Sequence, residues 1–124
     1  MVKNIMIVDD NPDLLFSVKH GIESTDSNFK VISVKSAEKC LEKLKNKELP
    51  DLILLDIMMP GINGWEMFDK LKENENWKNI PVIFLTARTD NVAKNAGKFL
   101  AEDYIEKPFE VEDLIDRINK SLNK

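Results

Sequence analysis

Asp9, Asp10, Asp56, Thr86 and Lys107 are the residues of this 124-residue chain whose types and positions point to chemistry. Each stands at the end of a short apolar or β-prone run. Ile5–Val8 stops at Asp9-Asp10, Leu52–Leu55 at Asp56, Ile80–Leu85 at Thr86, and Asp103–Glu106 leads into Lys107. If the runs are strands of one parallel sheet, their carboxyl ends share one edge, where open α/β sheets place their ligands. Three carboxylates brought together repel and raise one another's pKa values. A hard divalent cation with oxygen ligands removes that conflict, and Mg²⁺ is the common choice where phosphate is handled. A lysine and a hydroxyl suit a phosphoryl group, and a carboxylate can itself be the nucleophile, giving an aspartyl-phosphate. Asp56, alone at the end of the most apolar run, is the best placed for that role.

Taken singly, each residue has a plainer reading. Asp9 and Asp10 could cap the following helix, and Asp56 could be a turn residue ahead of Pro60-Gly61. Thr86 could be a strand terminus bonding its own backbone, and Lys107 a solvated surface charge. Only their joint placement argues for a site.

The elements that must hold them follow from the pattern. Leu52–Leu55 lacks polar alternation, which suits a strand buried on both faces in mid-sheet. The first run reads as a strand over about residues 3–8. Asn11 followed by Pro12 is a helix start, an N-cap side chain and then proline at the first helical position. Leu15, Val18 and Ile22 carry that helix to about residue 24, with a polar loop over 24–28. Lys30–Lys35 is β-branched and reads as a second strand. Ser36 caps a helix whose apolar face is Ala37, Cys40, Leu41 and Leu44, and which ends in lysines that suit a helix C-terminus. Asn63-Gly64 opens a third helix with Trp65, Phe68 and Leu71 on one side. A fourth strand covers Ile80–Leu85, and Asp90 caps an expected helix over 91–99. Asn91, Asn95 and Gly97 make that helix the weakest element. A short strand over Asp103–Glu106 precedes a last helix striped by Val111, Leu114, Ile115, Ile118 and Leu122. Strand and helix alternate five times. That order predicts an α/β fold, a five-stranded parallel doubly wound sheet with right-handed crossovers and helices on both faces. Periodicity leaves the strand order open.

Length fits one domain over 1–124. A net charge of −4 gives no sign of a nucleic-acid surface. The single cysteine, Cys40, excludes an intramolecular disulfide or a cysteine zinc site. The single histidine, His20, excludes most histidine-rich metal sites. No apolar run approaches the roughly 20 residues of a membrane span, and the first residues do not form a secretory signal. Cytoplasmic residence is the expectation.

With Asp9-Asp10, Asp56, Thr86-Ala87 and Lys107-Pro108-Phe109 in view, the whole chain resembles the receiver (CheY-like) domain of two-component response regulators. The resemblance implies a flavodoxin-like fold with strand order 2-1-3-4-5. It implies Asp56 as phosphoacceptor, Asp10 as a direct Mg²⁺ ligand and Asp9 as a neighbour acting largely through water. The backbone carbonyl of Met58 would be a further ligand. Lys107 would contact the phosphoryl oxygens, and its bond to Pro108 would be cis. Thr86 and Tyr104 would form a switch pair that remodels the face of the 91–99 helix, the fifth strand and the last helix. Met58 and Arg88 occupy the two variable positions that would tune phosphoryl lifetime. Leu100-Ala101 replaces the small pair common before the fifth strand, and the segment from Thr86 to Lys107 is about one residue short. Both departures, with Gly97, put the order of the 91–99 helix in question.

The implied function is a signalling receiver that accepts phosphoryl from a sensor histidine kinase or phosphotransfer protein and then alters its surface for an effector. No output domain within this chain, direct nucleic-acid contact or membrane contact is expected; a stand-alone regulator and the first domain of a longer chain both stay open, as does dimerisation on phosphorylation. Three rivals stand beside it. An Asp-nucleophile, Mg²⁺-dependent phosphatase or phosphotransferase needs a general acid near the nucleophile and a cap; Ile57-Met58-Met59 supplies no acid. A flavodoxin-like cofactor module needs a glycine-rich first turn, where this chain has Asp-Asp-Asn-Pro. A phosphorylation-independent interaction domain has no need to keep every one of these chemical residues.

Overall fold

The computed structural model describes residues 2–87 and 101–123. The expected helix over 91–99 lies outside them, with Asp90, Arg88 and Leu100. The described elements run β1 (Lys3–Val8), α1 (Pro12–Thr25), β2 (Phe29–Val34), α2 (Ala37–Lys45), β3 (Leu52–Asp56), α3 (Gly64–Glu73), β4 (Val82–Thr86), β5 (Asp103–Glu106) and α4 (Val111–Leu122). All strand pairs are parallel, and the order is β2-β1-β3-β4-β5. The order implied by the resemblance therefore holds.

Residue alternation along the strands builds two separate cores. Met6, Val8, Ile53, Leu55, Val82 and Phe84 turn to one face, where α2 and α3 add Cys40, Leu44, Met67, Phe68 and Leu71. Ile5, Ile7, Leu52, Leu54, Ile83 and Leu85 turn to the other, under Leu15, Val18 and Ile22 of α1 and Leu114 and Ile118 of α4. β3 lies between β1 and β4 with a core on each face, so every residue from Leu52 to Asp56 is buried. That is why its run carries no polar alternation. Chain direction across the sheet reverses between β1 and β3, and the crevice at such a reversal is where open α/β sheets bind ligands.

Several boundaries differ from the sequence reading, β2 ending at Val34 and β4 at Thr86 among them. α1 continues through Ser24 to Thr25, with the Ser24 hydroxyl donating to the His20 carbonyl at 2.6 Å. β2 begins at Phe29, which is buried and pairs with Lys3. β4 begins at Val82, because Pro81 has no N–H and contributes only its carbonyl, which accepts from Ile53 N–H at 3.0 Å. Ile80 instead donates to Trp77. Trp77 was not anticipated as core, yet it is buried against the α2–α3 layer.

The helix starts behave as their sequences dictate. Asn11 accepts from Asp13 and Leu14 N–H at 3.0 and 3.3 Å ahead of Pro12, and Ser36 accepts from Lys39 N–H at 3.1 Å. Asn63 and Glu66 form a reciprocal capping box at the head of α3. Asn63→Ala removes the side-chain acceptor of the Glu66 N–H. We expect a loss of about 1 kcal/mol, read as a lower urea midpoint with an unchanged slope, and recovered in Asn63→Asp.

Candidate functional site

The site forms where β1, β3, β4 and β5 end. Asp9 follows Val8 and stays in the sheet's bonding pattern, its N–H donating to Val34 O at 3.1 Å. Its side chain is buried, so both carboxylate oxygens need partners. Oδ1 accepts from the Asn11 N–H at 2.9 Å, and Oδ2 accepts from Lys107 Nζ at 2.8 Å. Asp56, the last residue of β3, is also buried, and its Oδ1 accepts from the same ammonium at 3.2 Å. Asp10 is exposed beside them. One oxygen from each of the three aspartates lies within 4.8 Å of the others. The structure therefore gathers the three carboxylates that the strand ends predicted.

Lys107 reaches them because β5 is zipped to β4, with the Lys107 N–H donating to Thr86 O at 2.7 Å. The Lys107–Pro108 bond is cis, as the resemblance implied. Below the site, Gly64 lies so close to β3 that an added Cβ would overlap the Asp56 carbonyl oxygen and come within 2.7 Å of Ile57 Cα. Its N–H donates to Ile57 O at 2.8 Å. Only glycine lets α3 begin this near the end of β3. Sequence reading took Gly64 as a helix-start residue and missed this close approach; the Asn-Gly pair was the available signal. Gly61 has φ 75°, which glycine adopts without strain. Met58 is exposed between buried Ile57 and Met59.

Electrostatics follow from that geometry. Burial raises the Asp56 carboxyl, the Asp9 charge raises it further, and the Lys107 ammonium only partly opposes them, so it is pushed up to about 6. Burial alone would pull the Lys107 ammonium down, but its bonds and charge contacts with Asp9 and Asp56 outweigh that, and its net shift is upward. The ammonium thus contacts two of the three carboxylates. With all three ionised the surplus of negative charge is what a divalent cation with oxygen ligands neutralises, and the donor set fits such an ion.

Thr86 and Tyr104 complete the neighbourhood. Phe84 pairs with Tyr104 across β4 and β5, and their rings stack at 6.3 Å. Thr86 lies two residues beyond Phe84 on the same face of β4. The Thr86 and Tyr104 hydroxyls are both buried and have no hydrogen-bond partner among the described residues. Buried polar atoms in this condition are rare in folded proteins. Burial, with the Asp103 charge second, raises the Tyr104 phenol, so it remains a neutral O–H at ordinary pH.

The Asp56 shift has a definite sign for stability. A carboxyl with a raised folded pKa binds its proton more tightly when folded. Its ionisation therefore destabilises the fold as pH climbs from the ordinary carboxylate range through about 6, and the cost is constant above that. Asn mimics the neutral acid. In chelator-treated protein, Asp56→Asn should be more stable than the parent by ~3 kcal/mol at pH 8, the difference shrinking to nothing below about pH 4. Urea denaturation across that range measures it; a constant difference at all pH values rejects the assignment.

The comparisons with known proteins agree with this geometry. The family model of the response regulator receiver domain matches residues 5–119. Response regulator ArlR of Staphylococcus aureus is 36% identical over 121 residues, which is 97% of this chain and 52% of that protein. The chain thus spans about half the length of the curated relatives it matches. A protein assigned as a response regulator from Chloroflexus aurantiacus J-10-fl has a TM-score of 0.90 at 30% identity, with both chains covered in full. Chemotaxis protein CheY4 of Vibrio cholerae shares the fold, with a TM-score of 0.87 at 24% identity over 98% of this chain and 99% of that one. Sequence, fold and the acidic edge converge, and the chain belongs to the receiver domain family of the response regulators.

Proposed function

We propose that this domain is a phosphorylation-dependent receiver in which Asp56 takes a phosphoryl group from a sensor histidine kinase or phosphotransfer protein. The observation that carries this reading is a buried carboxylate at the end of the central strand, held by one ammonium and crowded by a second buried carboxylate. An Asp56 oxygen forms the new bond to phosphorus as the donor's bond to phosphorus breaks. Because the Asp56 carboxyl sits at about 6, it is mostly ionised and nucleophilic at neutral pH. Lys107, already bonded to Asp56, stays in reach of the oxygens of the arriving group. Asp9, Asp10, Asp56 and the Met58 backbone carbonyl would hold Mg²⁺. When bound, the ion offsets the negative charge of the carboxylates and the phosphoryl oxygens.

Thr86 and Tyr104 are the switch in this reading. The Thr86 hydroxyl has no partner among the described residues, and a phosphoryl oxygen on Asp56 would provide one. Turning Thr86 toward it leaves space on the Tyr104 side of β4, and inward movement of that ring would alter the surface of β5 and α4. An effector of unassigned identity reads that surface. Beyond its own phosphorylation and dephosphorylation the domain is not an enzyme; the residue two past Asp56 is Met58, which cannot act as the general acid of a phosphatase. Residence in the cytoplasm fits this role, and no helix among the described residues is long and apolar enough to cross a membrane.

Incubation with Mg²⁺ and acetyl phosphate should add one phosphoryl group by intact mass. The adduct should be lost in Asp56→Asn and on chelation of the metal, whereas continuing turnover of phosphate esters would favour the phosphatase. Thr86→Val and Tyr104→Phe delete hydroxyls that have no partner among the described residues, so both should keep resting stability within about 1 kcal/mol. Both should still be labelled, but with a smaller phosphorylation-dependent change in amide exchange along β5. A full-sized change in both variants rejects the switch.

A further inference from the structure

β2 is an edge strand, and edges of sheets are templates for pairing with other chains. Its sequence, Phe-Lys-Val-Ile-Ser-Val, has four apolar side chains, one charge and neither proline nor glycine, the composition that pairs most readily. Lys3 N–H bonds to Asn28 O and Asp9 N–H to Val34 O, so even-numbered residues of β2 face β1. Val31 therefore turns its N–H and C=O outward from the middle of the strand.

Those two groups are occupied. Glu23 Oε2 accepts from the Val31 N–H at 2.8 Å, and Lys19 Nζ donates to the Val31 carbonyl at 2.7 Å. Lys19 and Glu23 lie one turn apart on α1 and pair with each other at 3.1 Å. Together they present to Val31 an acceptor and a donor, the pair of groups a neighbouring strand would present. An exposed ion pair at helical spacing adds little by itself; these two contacts with backbone give it a different task. The Val31 amide holds the Glu23 carboxyl below its usual range, with burial opposing and Lys19 assisting. β5, the other edge, carries the same arrangement. The Tyr104 N–H donates to Asp103 Oδ1 at 2.8 Å, and Arg117 Nη1 donates to the Tyr104 carbonyl at 3.0 Å while pairing with Asp103.

We propose that the Lys19–Glu23 pair is a lock on the β2 edge, and that its release lets β2 pair with β2 of a second copy of this chain. A second copy is the fitting occupant because two identical edges related by a twofold axis are self-complementary. The test is the double variant Lys19→Met/Glu23→Gln, compared with the parent by sedimentation over a concentration series and by amide exchange. Circular dichroism and thermal melting establish that it is folded. Val31 exchange should rise on the order of tenfold, and a concentration-dependent dimer absent from the parent should appear. Adding Ser33→Pro, at an exposed position whose N–H also faces outward, should remove that dimer. Unchanged Val31 exchange overturns the proposal, as does faster exchange without new association or association that survives Ser33→Pro. If the double variant loses its native dichroism, Glu23→Ala, which frees only the Val31 N–H, is read in the same way.

Discussion

The Lys107 ammonium, held between two buried carboxylates, is the contact on which the rest of the structure depends. Leaving Asp9 or Asp56 buried without it would cost several kcal/mol. Every part of the fold around it meets that requirement. β1 and β3 must be neighbours for Asp9 and Asp56 to share one cation, which the order β2-β1-β3-β4-β5 provides. β5 must be bonded to β4 through its last residue, or Lys107 would start too far away. Asn11 must turn its N–H back to Asp9, which fixes how α1 leaves the sheet. Even so, one ammonium does not balance three carboxylates. The shortfall appears as the raised Asp56 carboxyl, where burial and the Asp9 charge outweigh the ammonium.

Much of this was legible in the sequence because the signals were local. A strand buried on both faces must be apolar throughout, so Leu52–Leu55 identified the centre of the sheet without help from other residues. Asn11-Pro12, Ser36 and Asn63 marked helix starts through capping, which depends on the next three residues alone. The strand-end aspartates and Lys107 could be assigned to one place because parallel pairing puts all carboxyl ends on one edge. What could not be read locally was which strand neighbours which, and that order came from the resemblance. Trp77 illustrates the same limit. It lies in a turn segment after α3 with no periodic partners, and only the α2–α3 layer folding over it makes it core. Gly64 is a sharper case. The Asn-Gly pair marks a helix start but not what the glycine touches, and the near contact with the Asp56 carbonyl exists only once β3 and α3 are packed.

The split into two cores also bears on where the molecule can change. α1 and α4 pack with β1, β3 and β4 over one face, while Phe84, Tyr104, Trp65 and Phe68 form an aromatic cluster on the other. The Thr86 hydroxyl lies on the aromatic side, close to the site edge. In the proposed switch, a rearrangement there would propagate along β5 through ring packing and leave the aliphatic face beneath α1 in place. Packed aromatic layers prefer discrete arrangements over gradual deformation, which suits a two-state response better than a graded one.

The treatment of polar groups separates the structural parts of this protein from the functional ones. At both sheet edges an outward-facing backbone unit, Val31 or Tyr104, has its N–H and its C=O matched by an acid and a base. Asp51 does the same at the amino end of β3, accepting from Asn4 N–H at 2.7 Å. A chain that satisfies its peripheral backbone this fully has no general difficulty in pairing buried polar atoms. Yet two buried hydroxyls, Thr86 and Tyr104, stand unmatched among the described residues, the first at the carboxyl end of β4 and the second on β5 opposite Phe84. Local rules tend to be broken where function requires it. On the proposed reading, the unmatched Thr86 hydroxyl and the under-compensated Asp56 carboxylate at the ends of neighbouring strands have one common remedy. A tetrahedral anion on Asp56 would accept from Thr86 and from Lys107 together.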